Sequence, residues 1–483
     1  MWSLVASFAL AAPCGTLALM PYANPLRVPP FAGAAPPAGE LALRDVFGVP
    51  NVETSEHFAL RWGDGAAVTT AQVGRLLDSF EAAWSHQVEY MGHPAPLGSD
   101  VYKFNVYIGD TGEGTPESLG AAGYYWTDDE GAPMVVIAAS LLVYEDSTDA
   151  TALHEFYHAI QGSLNRFPYD GLGAWFWEAT AEWAAIQTHP FNADMGSLLF
   201  GYLLLPHLPV NSFDYPDSGT LAEYHQYGAF LFPHYLTTEV VGFELVRDAW
   251  VVPGEDGDPI EVMRAWLAAD GIDLDDAWLD HIAANAAYDY PLGEVWAASV
   301  DAMAEYVDGE HPLTATFSGA GRHEPHRVED RDTAPGRYGY NVLVLASPIS
   351  GDVEVEIVGD AVGDEGSPAH FGARVIHLDD GIPTYYPVAF DGLVGTAVVP
   401  VDRADEIRVV VGAWTPETAH WTDEVFPYEV TMGIGEAPAE TSDGVAIGGI
   451  PEEEVVPSIC GTATPMAGWL ALPLLAWTRR RSR

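Results

Sequence analysis

The chain has 483 residues, too many for one ordinary core and enough for two domains with tails. Hydrophobic residues make up 48% and aromatics 12%, which excludes a disordered chain. With 70 acidic residues against 19 basic ones and a net charge of −51, the surface repels phosphates and excludes nucleic acid as a partner.

Residues 1–23 are apolar from Leu4 to Met20 and lead into Pro21-Tyr22-Ala23, the pattern of a secretory signal peptide cleaved after Ala23; an uncleaved anchor is the other reading. Cys14 lies inside this segment, and Pro13 before it argues against a lipid-modified cysteine. The other cysteine, Cys460, lies near the opposite end, so the folded body is expected to hold no disulfide and no cysteine-based metal site. Residues 24–51 are rich in Pro, Ala and Gly and read as a linker or short pro-segment.

The expected architecture is α+β. EHFALRWG reads as a strand, and a helix follows from Thr70 with apolar positions at Val73, Leu76, Leu77, Phe80 and Trp84. YKFNVYIGD alternates like a strand, and PMVVIAA is a short buried one. A helix starting near Ser147 or Thr148 and closing at Gly162 carries TALHEFYHAI, and the chain is mainly helical from there to about residue 305. Between 311 and 434 the segments YNVLVLA, VEVEIV, ARVIHL, EIRVVVGAW and YEVTM alternate between Gly, Pro and Asp turns, as in an antiparallel β-sandwich.

Residues 435–458 form an acidic linker. Residues 459–483 then comprise an apolar stretch long enough to span a bilayer and an arginine cluster, RRRSR, expected on the cytoplasmic side. This Cys-Gly, apolar, arginine order resembles the C-terminal sorting tails of myxobacterial surface proteins. The resemblance implies processing near Cys460 and display at the cell surface, anchored in the membrane or released.

The chemistry concentrates in HEFYH. On a helix, positions i and i+4 share a face, so His154 and His158 can aim at one ion about 2.0–2.1 Å away, as zinc requires. Glu155 is offset around the helix and can hold a metal-bound water. A third histidine six residues after the second is absent, since Leu164 stands there. GAWFWEATAEWAAIQ offers carboxylates instead, Glu178 and, one turn on, Glu182.

HEFYH together with WEATAE resembles the gluzincin metallopeptidases, the group of thermolysin and the zinc aminopeptidases. The resemblance implies a zinc metallopeptidase domain over 52–305, with His154, His158 and Glu178 as ligands of Zn2+ and Glu155 as general base. It implies Glu182 as the carboxylate orienting His154, and an edge strand, here PMVVIAA, that pairs with an extended peptide substrate. A second electrophile for the oxyanion would come from LAEYHQYGAFLF. His225 fits that role best among Tyr224, His225 and Tyr227. No Gly-x-Met-x-Asn stretch is present to capture a free amine, which favours endopeptidase over aminopeptidase action. The competing reading is an inert surface-binding or adhesion protein on a peptidase scaffold, the sandwich serving as an accessory domain.

Overall fold

The strand periods and the capping signals produce the first layer much as the sequence suggests. In a computed structural model, which describes Cys14, Thr16 and residues 41–434 except 45, 47, 129–130, 165, 168–171, 191–197, 215–220, 253–256, 307–312, 319–320 and 416–423, the chain opens with β1 (Asn51–Thr54) and β2 (Phe58–Trp62). Helix α1 (Thr70–Ala83) follows, begun by a capping box in which Thr69 and Gln72 satisfy each other's backbone donors. Its apolar face is the expected one, with Val73, Leu76, Leu77 and Phe80 buried. Next come β3 (Phe104–Gly109), β4 (Gly123–Thr127) and β5 (Pro133–Ala138).

These strands form one sheet in the order β1-β2-β3-β5-β4. β2, β3 and β5 run parallel, while β1 and β4 are antiparallel to their neighbours. Every residue of β3 and β5 is buried because both faces are covered. Phe104, Val106 and Ile108 point into the core beneath the helices, and Tyr107, Met134 and Val136 into a smaller cluster on the other face. PMVVIAA is therefore an interior strand, and the edge belongs to β4, the sequence GYYWT.

Helix α2 (Glu145–Leu164) lies against this sheet, and α3 (Ala174–Thr188) lies against α2. α2 starts two residues ahead of the expected cap and runs past Gly162. Thr148 does not cap it; its hydroxyl donates back to the carbonyls of Tyr144 and Leu141. Gly162 is kept clear of a side chain because the ring of Tyr125 occupies that space, 2.5 Å from where a Cβ would stand. From Ala152 to Gly162 every residue of α2 is buried, so the polar groups there must find partners inside the protein. The tryptophans of α3, Trp175, Trp177 and Trp183, are core.

The helical lobe is completed by the short α4 (Phe200–Leu203), α5 (His225–Gly228) and α6 (Leu231–Tyr235), then α7 (Glu244–Val251), α8 (Pro259–Ala269), α9 (Leu274–Ala287) and α10 (Gly293–Tyr306).

The C-terminal strands are β6 (Leu313–Ser318), β7 (His326–Val328), β8 (Gly339–Gly359), β9 (His370–Asp379), β10 (Ile382–Pro387), β11 (Ala389–Asp391), β12 (Val394–Trp414) and β13 (Tyr428–Ile434). They make one continuous eight-stranded sheet rather than two. Its long partners β8 and β12 bend together, where the register slips between Val401, Ala404 and Glu406. One half pairs β9 with the end of β12, and the other pairs β13 with the end of β8. Leu343, Val355, Val375, Val399, Val409 and Val430, from both halves, meet in one core, so the curled sheet packs like a sandwich. It is mixed rather than antiparallel, because β6 runs parallel to β8.

The other face of this sheet belongs to the helical lobe. Tyr340, Val342, Ile376 and Val410 join the main core, and Trp278 of α9 lies edge-on to Tyr338 at 5.1 Å. Gly412 leaves room for it: a Cβ there would stand 2.1 Å from the indole. Helices and sheet belong to one compact unit ending at Ala437. The expected linker at 435–458 and tail at 459–483, most of the expected signal peptide, and residues 24–40 lie outside the described residues. Among the described residues no helix is long and apolar enough to cross a membrane.

Candidate metal centre

The two histidines of α2 turn the same nitrogen to one carboxylate oxygen. His154 Nε2 lies 3.0 Å and His158 Nε2 3.5 Å from Glu178 Oε2. The rings meet edge to face with centroids 4.6 Å apart, the consequence of i, i+4 spacing on one helix face. Glu178 is fully buried on α3, which brings a carboxylate from a second helix to complete the triad.

The outer nitrogens are held as well. His158 Nδ1 is 2.6 Å from Gln161 Oε1, and the amide of Gln161 donates to the Trp177 carbonyl and to Thr180 Oγ1, both at 2.9 Å. The amide oxygen can only accept, so Nδ1 of His158 carries a proton and Nε2 is the nitrogen left to bind a metal once deprotonated. His154 Nδ1 lies 3.3 Å from Glu182 Oε1, an ionic contact whose angle falls short of a hydrogen bond. Glutamate thus reaches the expected position with looser geometry than Gln161 achieves.

Two of the converging atoms, His158 Nε2 and Glu178 Oε1, are buried without a hydrogen bond. Such atoms are costly unless something binds them. Burial works to raise the Glu178 carboxyl, but the imidazoles of His158 and His154 outweigh it and hold it down at about 2. In the metal-free centre both imidazoles are held protonated: burial works to lower them, but the acidic groups around them, Glu178 among them, lift His158 to about 10 and His154 well above its usual value. Deprotonated on metal binding, the two imidazoles and the ionised carboxylate form a donor set that suits zinc. The residues present therefore fit a zinc ion.

Glu155 lies beside this group, 1% exposed on α2, with its carboxyl raised above the ordinary range by burial and further by the charge of Glu178, against the pull of the histidines. Gly123 of β4 backs it: a Cβ there would stand 3.0 Å from Glu155 Cγ.

Five of the six expected site residues come together: His154, Glu155, His158, Glu178 and Glu182. His225 does not join them. It is fully buried against Tyr202, ring centroids 5.1 Å apart, and burial followed by the nearby His207 lowers it to about 3. Tyr227, two residues on, reaches the site instead. Its ring is 6.2 Å from that of His154, and its buried hydroxyl has no partner. These residues follow a 3-10 turn, Leu221–Tyr224, into a four-residue helix, so a helical count from the sequence cannot tell which side chain faces inward.

Two groups at the centre were not expected there. The sulfur of Cys14, 7% exposed, lies with the donor atoms of His154, His158 and Glu178, all within 4.8 Å of one another. The sequence placed Cys14 in an expected leader apart from the folded body, whereas its sulfur here lies beside the candidate ligands. The hydroxyl of Thr16 donates to Glu155 Oε2 at 3.1 Å and accepts from the Tyr125 backbone N–H of β4 at 2.8 Å.

Residues 45–386 match a family described as a family of unknown function, DUF6055. The chain belongs to this family. The match starts before β1 and ends in β10, so it takes in the candidate metal centre, the helical lobe and half of the curled sheet. No curated protein matches the sequence. Among solved structures, the pre-peptidase C-terminal domain of a collagenase from Bacillus anthracis aligns at 9% identity and a TM-score of 0.17, covering 25% of this chain and 97% of that one. A family GH115 4-O-methyl-α-glucuronidase aligns at 12% identity and 0.16, covering 61% of this chain and 39% of that one. At these scores neither likeness bears on fold or function.

Proposed function

We propose that this DUF6055 protein is a zinc-dependent peptidase, acting within peptide chains, whose metal is held by His154, His158 and Glu178. The observation that carries the proposal is the convergence of His154 Nε2, His158 Nε2 and Glu178 Oε2, with Glu155 beside them on the same helix. Bound zinc would supply a Lewis acid for the scissile carbonyl and a water acidified toward pH ~7.

The chain's own residues account for the rest. Glu155, raised by burial, takes a proton from the attacking water and returns it to the departing amine. The Tyr227 hydroxyl, buried and without a partner, donates to the developing oxyanion. β4, at the end of the sheet, would offer N–H and C=O groups to an extended peptide added as a further strand, the Tyr125 N–H after release from Thr16. The acidic surface disfavours acidic substrates. Export and a membrane-held C-terminal tail belong to the same proposal and rest on the end sequences alone.

The test is the Glu155→Gln variant of the full chain beside wild type. Each is assayed with residues 1–23 in place and removed; both should bind one zinc, and only the wild type should cleave a mixed peptide library. Equal zinc occupancy with no cleavage in either form would favour an inert binding scaffold.

A further inference from the structure

Cys14 is a buried thiol whose sulfur lies within reach of the three candidate ligands. We infer that Cys14 is a ligand of the same metal, and that the chain is held closed by its own N-terminal segment until that segment is withdrawn; this rests on the metal reading above. Three observations carry it. The sulfur shares a 4.8 Å cluster with three donor atoms from two other helices. His158 Nε2 and Glu178 Oε1 in that cluster are fully buried and have no hydrogen-bond partner, so the thiol sits among atoms that await an ion. Thr16, two residues on, binds both Glu155 and the edge strand β4.

The donor types agree. Two imidazoles, the Glu178 carboxylate and a thiolate make four ligands of the kinds that fill a closed zinc site. On metal binding the Cys14 thiol gives its proton to solvent, and the sulfur takes the position that water would otherwise hold. The backbone N–H of Thr16 points at that sulfur from 3.4 Å, a donor suited to a thiolate. Thr16 uses its single proton on Glu155 and its lone pair on Tyr125, so one hydroxyl occupies both the general base and the strand edge that a substrate needs. Metal, base and substrate strand are thus all engaged at once. Cleavage after Ala23, expected from the sequence, would remove both residues and open the centre.

The test uses the full chain carrying Cys460→Ser, so that Cys14 is its only thiol, beside the same chain with Cys14→Ser added. Each is loaded with cobalt(II). The Cys14 form should show a thiolate-to-cobalt charge-transfer band in the near ultraviolet, and its thiol should resist iodoacetamide until a chelator withdraws the metal. The Cys14→Ser form should bind cobalt without the band. A ligand tethered at an effective concentration of about 1 mM or more outcompetes micromolar peptide, so hydrolysis by the zinc-loaded Cys14 form should be lower by about a hundredfold or more. Thr16→Val, which keeps the thiol but frees Glu155, should relieve part of that suppression. Bound cobalt with no band and a freely alkylated thiol would overturn the closure and leave the peptidase proposal standing. A band in the Cys14 form, with Cys14→Ser equally silent toward peptides, would support the ligand and count against the peptidase. No cobalt in either form would overturn both.

Discussion

Gln161 gives the sharpest test of how the centre is tuned. Replacement by methionine keeps the volume and removes both the acceptor for His158 Nδ1 and the donors to Trp177 and Thr180. The Thr180 hydroxyl loses little, since it still donates to Phe176 and accepts from Trp250. The His158 N–H, fully buried, loses its only bond, which costs about 1–3 kcal/mol in the metal-free protein. With no acceptor at Nδ1, the proton can move to Nε2 and block the ligand lone pair. Zinc affinity should therefore fall by about ten- to a hundredfold, as when an outer partner of a ligating histidine is lost. Competition against a chromophoric chelator reads the affinity, and urea unfolding of the metal-free chain reads the stability. Zinc binding as tight as wild type in Gln161→Met would refute the tautomer argument even if the chain were destabilised.

Gly123→Ala should cost about 1–3 kcal/mol by crowding Thr151, Glu155 and Ile137, and should cut peptide hydrolysis with zinc retained; unchanged turnover would show that Glu155 is not braced from β4. Tyr227→Phe should keep the fold and the metal while lowering kcat by about a hundred- to a thousandfold with KM little changed, read in an opened chain such as Cys14→Ser. His281 is buried and neutral, pushed down to about 3 by burial and then by His234, so the unfolded chain takes its proton first and stability is lost as pH falls below the ordinary value of about 6.5. Between about pH 7.5 and 5.5 the His281→Gln chain should lose roughly 1.4 kcal/mol less than wild type in urea unfolding; equal losses would mean that His281 is not buried neutral. Trp278→Ala should cost about 3–5 kcal/mol and destabilise helices and sheet together, whereas separate transitions by two probes would show that they fold apart.

What the sequence made legible follows from where a local rule applied. His154, Glu155 and His158 share one helix, and i, i+4 geometry holds whatever packs around it. Glu178 could be named only through the resemblance of WEATAE to the second gluzincin helix; its carboxylate and that of Glu182, one turn on, both face α2. The edge strand could not be read in the same way. β4 has only five residues behind a loop rich in turns, while PMVVIAA, the stronger apolar run, is stronger because it is buried on both faces inside the sheet. Cys14 was hidden for a different reason. It lies 140 residues before His154 in a segment whose local pattern reads as a leader, and nothing local links it to His154, His158 and Glu178. Gln161 was passed over because its side chain works through three hydrogen bonds that exist only once α2 and α3 have packed.

The curled sheet is where a reading by segments misleads most. Alternating strands after residue 311 imply a module of its own, and one face does build its own core. The opposite face cannot stand alone, because Tyr340, Val342, Ile376 and Val410 would be left on an open apolar surface. Gly372 and Gly412 sharpen the point, since each is a position where α9 fills the space a side chain would take, Leu279 against one and Trp278 against the other. A sheet evolved to be independent gains nothing from glycines in mid-strand, which weaken it. They make sense only if α9 is always present. The family match agrees, running unbroken from before β1 through β10 across the supposed boundary. The sheet is then a wall of the lobe that carries α2 and α3, and damage to it should be felt at the candidate centre through α9 rather than through lost adhesion.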